Sequence, residues 1–102
     1  MQSGQINELL VGVGGQFSAF IPTGASTTTI KKGPGRLCRI VITTAGTAAF
    51  TIFDNTAGSG SVLFVSPAAT SVGQVYDLQT PAQTGITIVN VASGPAFAVS
   101  YN

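Results

Sequence analysis

Turn-forming residues punctuate this chain so closely that no long helix fits between them. Thirteen Gly and five Pro are spread over 102 residues. Gly reaches backbone angles that other residues avoid, and Pro fixes its own φ and lacks an N–H donor. The segments between these breaks are short and β-branched, with thirteen Thr and ten Val in the chain. Such residues suit a pleated, half-buried surface. The usual builders of exposed helix faces are nearly missing: Lys and Arg together number four, and Glu8 is the one glutamate. About eight strands at roughly 10–12-residue spacing, with turn chemistry between them, is the pattern of a sandwich or barrel. The sequence therefore predicts an all-β, single-domain antiparallel β-sandwich or jelly-roll-like barrel over residues 9–102. A polar N-terminal arm without periodicity precedes it over residues 1–8.

The alternation places the strands. An apolar run over Leu9–Val13 is interrupted by Gly14-Gly15, and 16–21 extends to Pro22. Thr27–Lys31 reads as a strand that ends at the Gly33-Pro34-Gly35 turn. Arg36–Thr44 carries the clearest pattern, with Cys38, Ile40 and Ile42 on one face and Leu37, Arg39, Val41 and Thr43 on the other. Neither face is strongly polar, so both are expected to be covered. Ala48–Asp54 follows the Ala45-Gly46-Thr47 turn, and the two strands read as a hairpin. Val62–Val65 and Gln74–Leu78 are short strands, with Tyr76 and Leu78 facing together, and 80–84 reads as a connection. Gly85–Val91 and Ala96–Tyr101 read as the last pair, with Phe97, Val99 and Tyr101 on one face.

Charge narrows what such a sandwich does. Four basic and three acidic residues make 7% of the chain, and mean hydropathy is positive. An ordinary soluble domain is about a quarter charged, and near-zero net charge promotes association. The composition points to a surface that other protein subunits cover. Four of the charges, Lys31, Lys32, Arg36 and Arg39, fall within nine residues. Three readings compete for them. They blunt a strand edge against aggregation, or dock on an acidic protein surface, where Arg forks onto a carboxylate, or contact phosphate. The last reading is the weakest, because nucleic-acid-binding domains are basic along a whole face and interleave exposed aromatics.

The residue inventory argues against an enzyme. There is no His, hence no Ser-His-Asp or Cys-His device within one chain. Cys38, the single cysteine, forms no intrachain disulfide and reads as a small buried hydrophobe rather than an activated thiol. Glu8, Asp54 and Asp77 are too scattered for a glycosidase pair or a calcium site. Gly12, Gly14 and Gly15 do not complete a dinucleotide fingerprint. No cofactor or metal is expected. No segment approaches the roughly 18 apolar residues of a membrane helix, and the first five residues do not read as a secretory signal. The chain reads as cytoplasmic in origin.

The segment from Gly35 to Asn55 resembles one that recurs in small β-sandwich virion proteins of tailed bacteriophages. These share a Gly-x-Leu strand (here Gly35-Arg36-Leu37), a Gly-Thr-Ala turn (Gly46-Thr47-Ala48) and a strand ending in Asp-Asn (Asp54-Asn55). Val75-Tyr76-Asp77-Leu78 and Val99-Ser100-Tyr101 fit the same likeness, which covers about half the chain. The resemblance implies a capsid decoration or cement protein that binds the major capsid protein on the outside of the head and clamps its neighbours. It also implies a homo-oligomer, a trimer before a dimer. The shell contacts are expected at Gln2, Gln5 and Asn7 of the arm and at Lys31, Lys32, Arg36 and Arg39. Phage tail and fibre proteins use similar sandwiches. The alternative is thus a receptor- or glycan-binding module with its site on loops 55–60 and 92–95.

Overall fold

A computed structural model describes residues 17–102. The expected arm, with Gln2, Gln5 and Asn7, and the Leu9–Val13 run lie outside the described residues. Eight strands follow in order: β1 Phe17–Ile21, β2 Ser26–Lys32, β3 Gly35–Thr44, β4 Thr51–Asp54, β5 Ser61–Val65, β6 Val75–Ala82, β7 Gly85–Asn90 and β8 Ala96–Tyr101. They form two antiparallel four-stranded sheets, ordered β1-β8-β3-β6 and β2-β7-β4-β5. Among the described residues there is no helix.

The pairings β1·β8, β2·β7, β3·β6 and β4·β5 are those of one long hairpin whose arms run from β1 to β4 and back from β5 to β8. Wrapping that hairpin adds β3·β8 and β4·β7 and yields two sheets. This is the double-sheet jelly roll. Two expectations are overturned by it. The strands flanking Gly46 do not form a hairpin, because β3 belongs to the first sheet and β4 to the second. Likewise β7 and β8 do not pair, since the 91–95 connection crosses between sheets. Among the described residues only β4 and β5 are joined as a hairpin.

The core lies between the sheets. Ile21, Leu37, Ile40, Ile42, Phe97 and Val99 face it from the first sheet, and Ile52, Ile86 and Ile88 from the second. Phe50, just ahead of β4, stacks on Phe97 across the gap, with ring centroids 4.0 Å apart. Phe64 meets Phe50 at 5.9 Å and Tyr76 at 5.2 Å. This file of rings closes the side of the sandwich where β5 and β6 run. Tyr76, Leu78 and Tyr101 pack against the core, as their alternation predicts.

Leu37 also lies in the core, on the same side as Ile40 and Ile42, against expectation. The cause is a bulge. Leu37 pairs with Tyr101 and Arg39 with Ser100, so Cys38 is an extra residue that shifts the phase of β3. Cys38 is fully buried, and its thiol points at the Arg36 carbonyl oxygen 3.8 Å away. On the other flank, Leu78 and Gln79 of β6 fall between the partners of Leu37 and Arg39. Gln79 absorbs the extra length with φ of 51°. β6 itself runs to Ala82, through the expected connection. Pro81 is tolerated there because β6 is an edge strand, where a missing N–H interrupts no ladder.

One end of the sandwich is tied by a single side chain. Asn90, 2% exposed, donates from Nδ2 to the carbonyl oxygens of Pro22 (3.0 Å) and Pro95 (2.9 Å). Its Oδ1 accepts from Val91 N at 3.0 Å. Gly94 leaves room for it: a Cβ there would collide with Asn90 Oδ1.

Candidate assembly surface

The two sheets treat their outer faces differently. On the second sheet, Thr27, Val89, Thr51 and Val65 form one outward row, and Thr29, Thr87, Phe53 and Val62 the next. The 55–60 loop folds back over part of this face. Thr87 Oγ1 donates to the Asn55 carbonyl at 2.8 Å, and Thr29 Oγ1 to that of Thr56 at 3.3 Å. Gly58 lies so close to Val89 that a Cβ would stand 2.8 Å from its Cγ2. Thr87 is thereby fully buried although it faces away from the core.

No such cover lies over the first sheet among the described residues. Its outer rows follow from the register. Phe20, Ala98, Val41 and Val75 align across all four strands. Beside them run Ser18, Ser100, Arg39 and Asp77. Phe20 is 60% and Val75 54% exposed. The result is an apolar stripe on the outer sheet face, with Val72 also exposed in the loop leading to β6. A shape of this kind offers area to a protein rather than a cleft to a small molecule. No pocket opens among the described residues, and no group of three His, Cys, Asp or Glu side chains gathers there to hold a metal.

The four cations do not form one patch. Lys31, Lys32 and Arg36 surround the 33–34 turn, where β2 passes from the second sheet to β3 of the first. Arg39 lies further along β3, opposite Asp77, with Nη2 3.6 Å from Oδ2. Both partners are exposed, so the ion pair contributes at most about 1 kcal/mol. The strands do not pair across the turn; the tip gathers charge because two sheets meet there. Asp54 belongs to the same tip. Its carboxylate accepts backbone N–H bonds from Thr84 (2.8 Å), Gln83 (3.0 Å) and Gly85 (3.3 Å). These donors, Thr84 foremost, hold its carboxyl below the usual carboxylate range.

Phe20, Val41 and Val75 were not singled out by sequence reasoning. The signal was present in the odd phase of their strands, but assigning it needed the cross-strand register. No protein-family model, curated protein or solved structure matches the chain.

Proposed function

We propose that this chain is a non-enzymatic assembly protein that uses the outer face of its first sheet to pack against other protein subunits. The observation that carries the reading is the apolar row Phe20–Ala98–Val41–Val75, which no described residue covers, while the 55–60 loop covers part of the other sheet. Exposed contiguous apolar surface rimmed by polar residues marks interaction sites. The low charge of the whole chain points the same way.

The resemblance to small phage virion proteins gives the proposal its setting: a decoration or cement protein on the outside of a head shell, bound in many copies to the major capsid protein. Double-sheet jelly rolls recur in viral capsid and lectin domains, which is an analogy of fold. In this setting the sheet face lies on the shell, and Lys31, Lys32 and Arg36 at the tip meet acidic side chains of the shell subunits. Gln2, Gln5 and Asn7 supply further contacts from the N-terminal segment. Each contact is modest, at roughly 25 cal/mol per Å² of apolar area less the cost of association. Repetition around a closed shell turns modest contacts into firm retention.

The test is co-sedimentation of the purified chain with head shells assembled from the major capsid protein of the same genome. Saturable binding at a fixed ratio, weakened by Val41→Asp and by Lys31→Glu with Lys32→Glu, is the expected result. A chain that stays at the top of the gradient at every ratio overturns the proposal.

A further inference from the structure

Four strands border the two sheets, and three of them carry devices that spoil pairing with a foreign strand. β2 bulges between Thr29 and Lys31 and carries Lys31 and Lys32. β5 sits against a register shift between Ile52 and Phe53 that leaves Leu63 unmatched. β6 bulges at Gln79 and carries Asp77 and Pro81. Bulges, charges and Pro are the ways in which natural sheets guard their edges. β1 has none of them. Its register with β8 runs unbroken from Phe17↔Tyr101 to Ile21↔Phe97. It contains no charge and no Pro, and Phe17 and Phe20 stand 48% and 60% exposed. Among the described residues nothing pairs with its outer side.

We infer that β1 is the seam at which a second copy of this chain adds, antiparallel about a two-fold axis at Ala19. The two first sheets then join into one eight-stranded sheet. The register follows from the sequence Phe17-Ser18-Ala19-Phe20-Ile21. Ala19 faces Ala19 of the second copy, Ser18 faces Phe20, and Phe17 faces Ile21. All five residues of β1 are used in this register, and Pro22, with no N–H to give, closes the ladder at both ends. No charged residue meets another across the seam. On the outer face, Phe20 of each copy lies beside Ser18 of the other, at the end of its own apolar row. On the inner face, half-exposed Phe17 gains Ile21 as a cross-strand neighbour.

A five-residue seam is a small interface, below the roughly 1,200 Å² of ordinary stable complexes, so the pair dissociates readily in dilute solution. It is an isologous contact that closes on itself as a pair, in contrast to the trimer implied by the resemblance. The inference concerns only the contact of the chain with its own copy and goes beyond the proposed docking on a shell.

Cysteine cross-linking of the full chain tests it. Across such an axis the Ala19 α-carbons stand about 4.5–5.5 Å apart, within the roughly 4.4–6.8 Å that a disulfide spans. Two Ser18 residues stand more than about 7 Å apart, beyond that reach. Under copper-phenanthroline and air, Ala19→Cys is expected to give a covalent dimer and Ser18→Cys is not; native Cys38 is buried and does not compete. Phe20→Lys, at an exposed position, is expected to raise the dimer dissociation constant about tenfold or more in sedimentation equilibrium with an unchanged circular dichroism spectrum. Equal cross-linking of both cysteine variants overturns the inference. So does a strictly monomeric chain at about 1 mM. Self-association without an Ala19→Cys cross-link overturns the seam and leaves the assembly proposal standing. A monomer that also ignores head shells ends both.

Discussion

Replacing Asn90 by Ala is expected to be among the costliest single substitutions in the chain, and the structure says why. The side chain makes three hydrogen bonds while 2% exposed: two donated to the Pro22 and Pro95 carbonyls, one accepted from Val91 N. A typical bond of this kind contributes a net of about 1 kcal/mol, whereas a buried group left without a partner costs about 1–3 kcal/mol. Pro22 is exposed and Val91 half-buried, so water reaches both and each loss stays near 1 kcal/mol. Pro95 is fully buried, and its carbonyl has no substitute donor, so that loss falls at the upper end. The sum is about 3–5 kcal/mol. At about 4–8 °C per kcal/mol for a domain of this size, the unfolding midpoint drops by roughly 12–40 °C. The assay is urea unfolding followed by circular dichroism, with thermal melts alongside. Asn90→Asp sharpens the test. It keeps the acceptor for Val91 but turns both donated bonds into carboxylate–carbonyl repulsions, so it is as damaging at pH 7 and partly recovers in acid, where the protonated carboxyl donates again. An Asn90→Ala variant within about 1 kcal/mol of the parent would refute the reasoning, because a buried orphan carbonyl alone costs that much.

Two further outcomes follow from particular residues. Asp54 has a folded-state pKa below its ordinary value, so the stability it supplies is fully present above the unfolded value near 4 and is lost as pH falls through the folded value. Melts between pH 6 and pH 2 are expected to show a drop below about pH 4 that Asp54→Asn removes; an unchanged acid limb in that variant would contradict the assignment. Gln79 holds a left-handed backbone at φ 51°, which costs a side-chain-bearing residue roughly 1–2 kcal/mol. Glycine removes that strain, though it gives back about 0.5–1 kcal/mol in unfolded-chain entropy and loses the bond from Gln79 Nε2 to Asp77. Gln79→Gly is thus expected to leave stability within about 1 kcal/mol of the parent, while Gln79→Val, β-branched at positive φ, loses clearly more in the same urea titration.

The strands were legible in the sequence because alternation is local. Phe97, Val99 and Tyr101 share a face wherever β8 goes, and Gly33-Pro34-Gly35 breaks the chain whichever sheet follows. The partners were not legible. A turn such as Ala45-Gly46-Thr47 has the same composition whether the chain reverses within a sheet or crosses to the other, and here it crosses. Bulges were equally silent. Nothing in Leu37-Cys38-Arg39 announces an extra residue, yet it moves Leu37 into the core. The basic cluster was visible as composition, but the sequence showed neither the tie of Arg39 to Asp77 nor the sheet crossing that gathers the other three cations. The 55–60 loop is polar and glycine-rich, the composition of an ordinary solvated connection. Its small residues instead let it lie flat on Val89 and Thr87. Phe20 and Val75 would ordinarily be assigned to a core; only the register shows them at the two ends of one row on an outer face.

Whether protein covers that outer face can be read directly by hydroxyl-radical footprinting with mass spectrometry, on the chain dilute, concentrated and bound to shells. Oxidation at Phe20 and Val75 should fall several-fold on assembly, while Val62, on the opposite sheet, keeps its rate. Equal oxidation of all three residues in every state would mean that the first sheet faces solvent throughout, which contradicts the account.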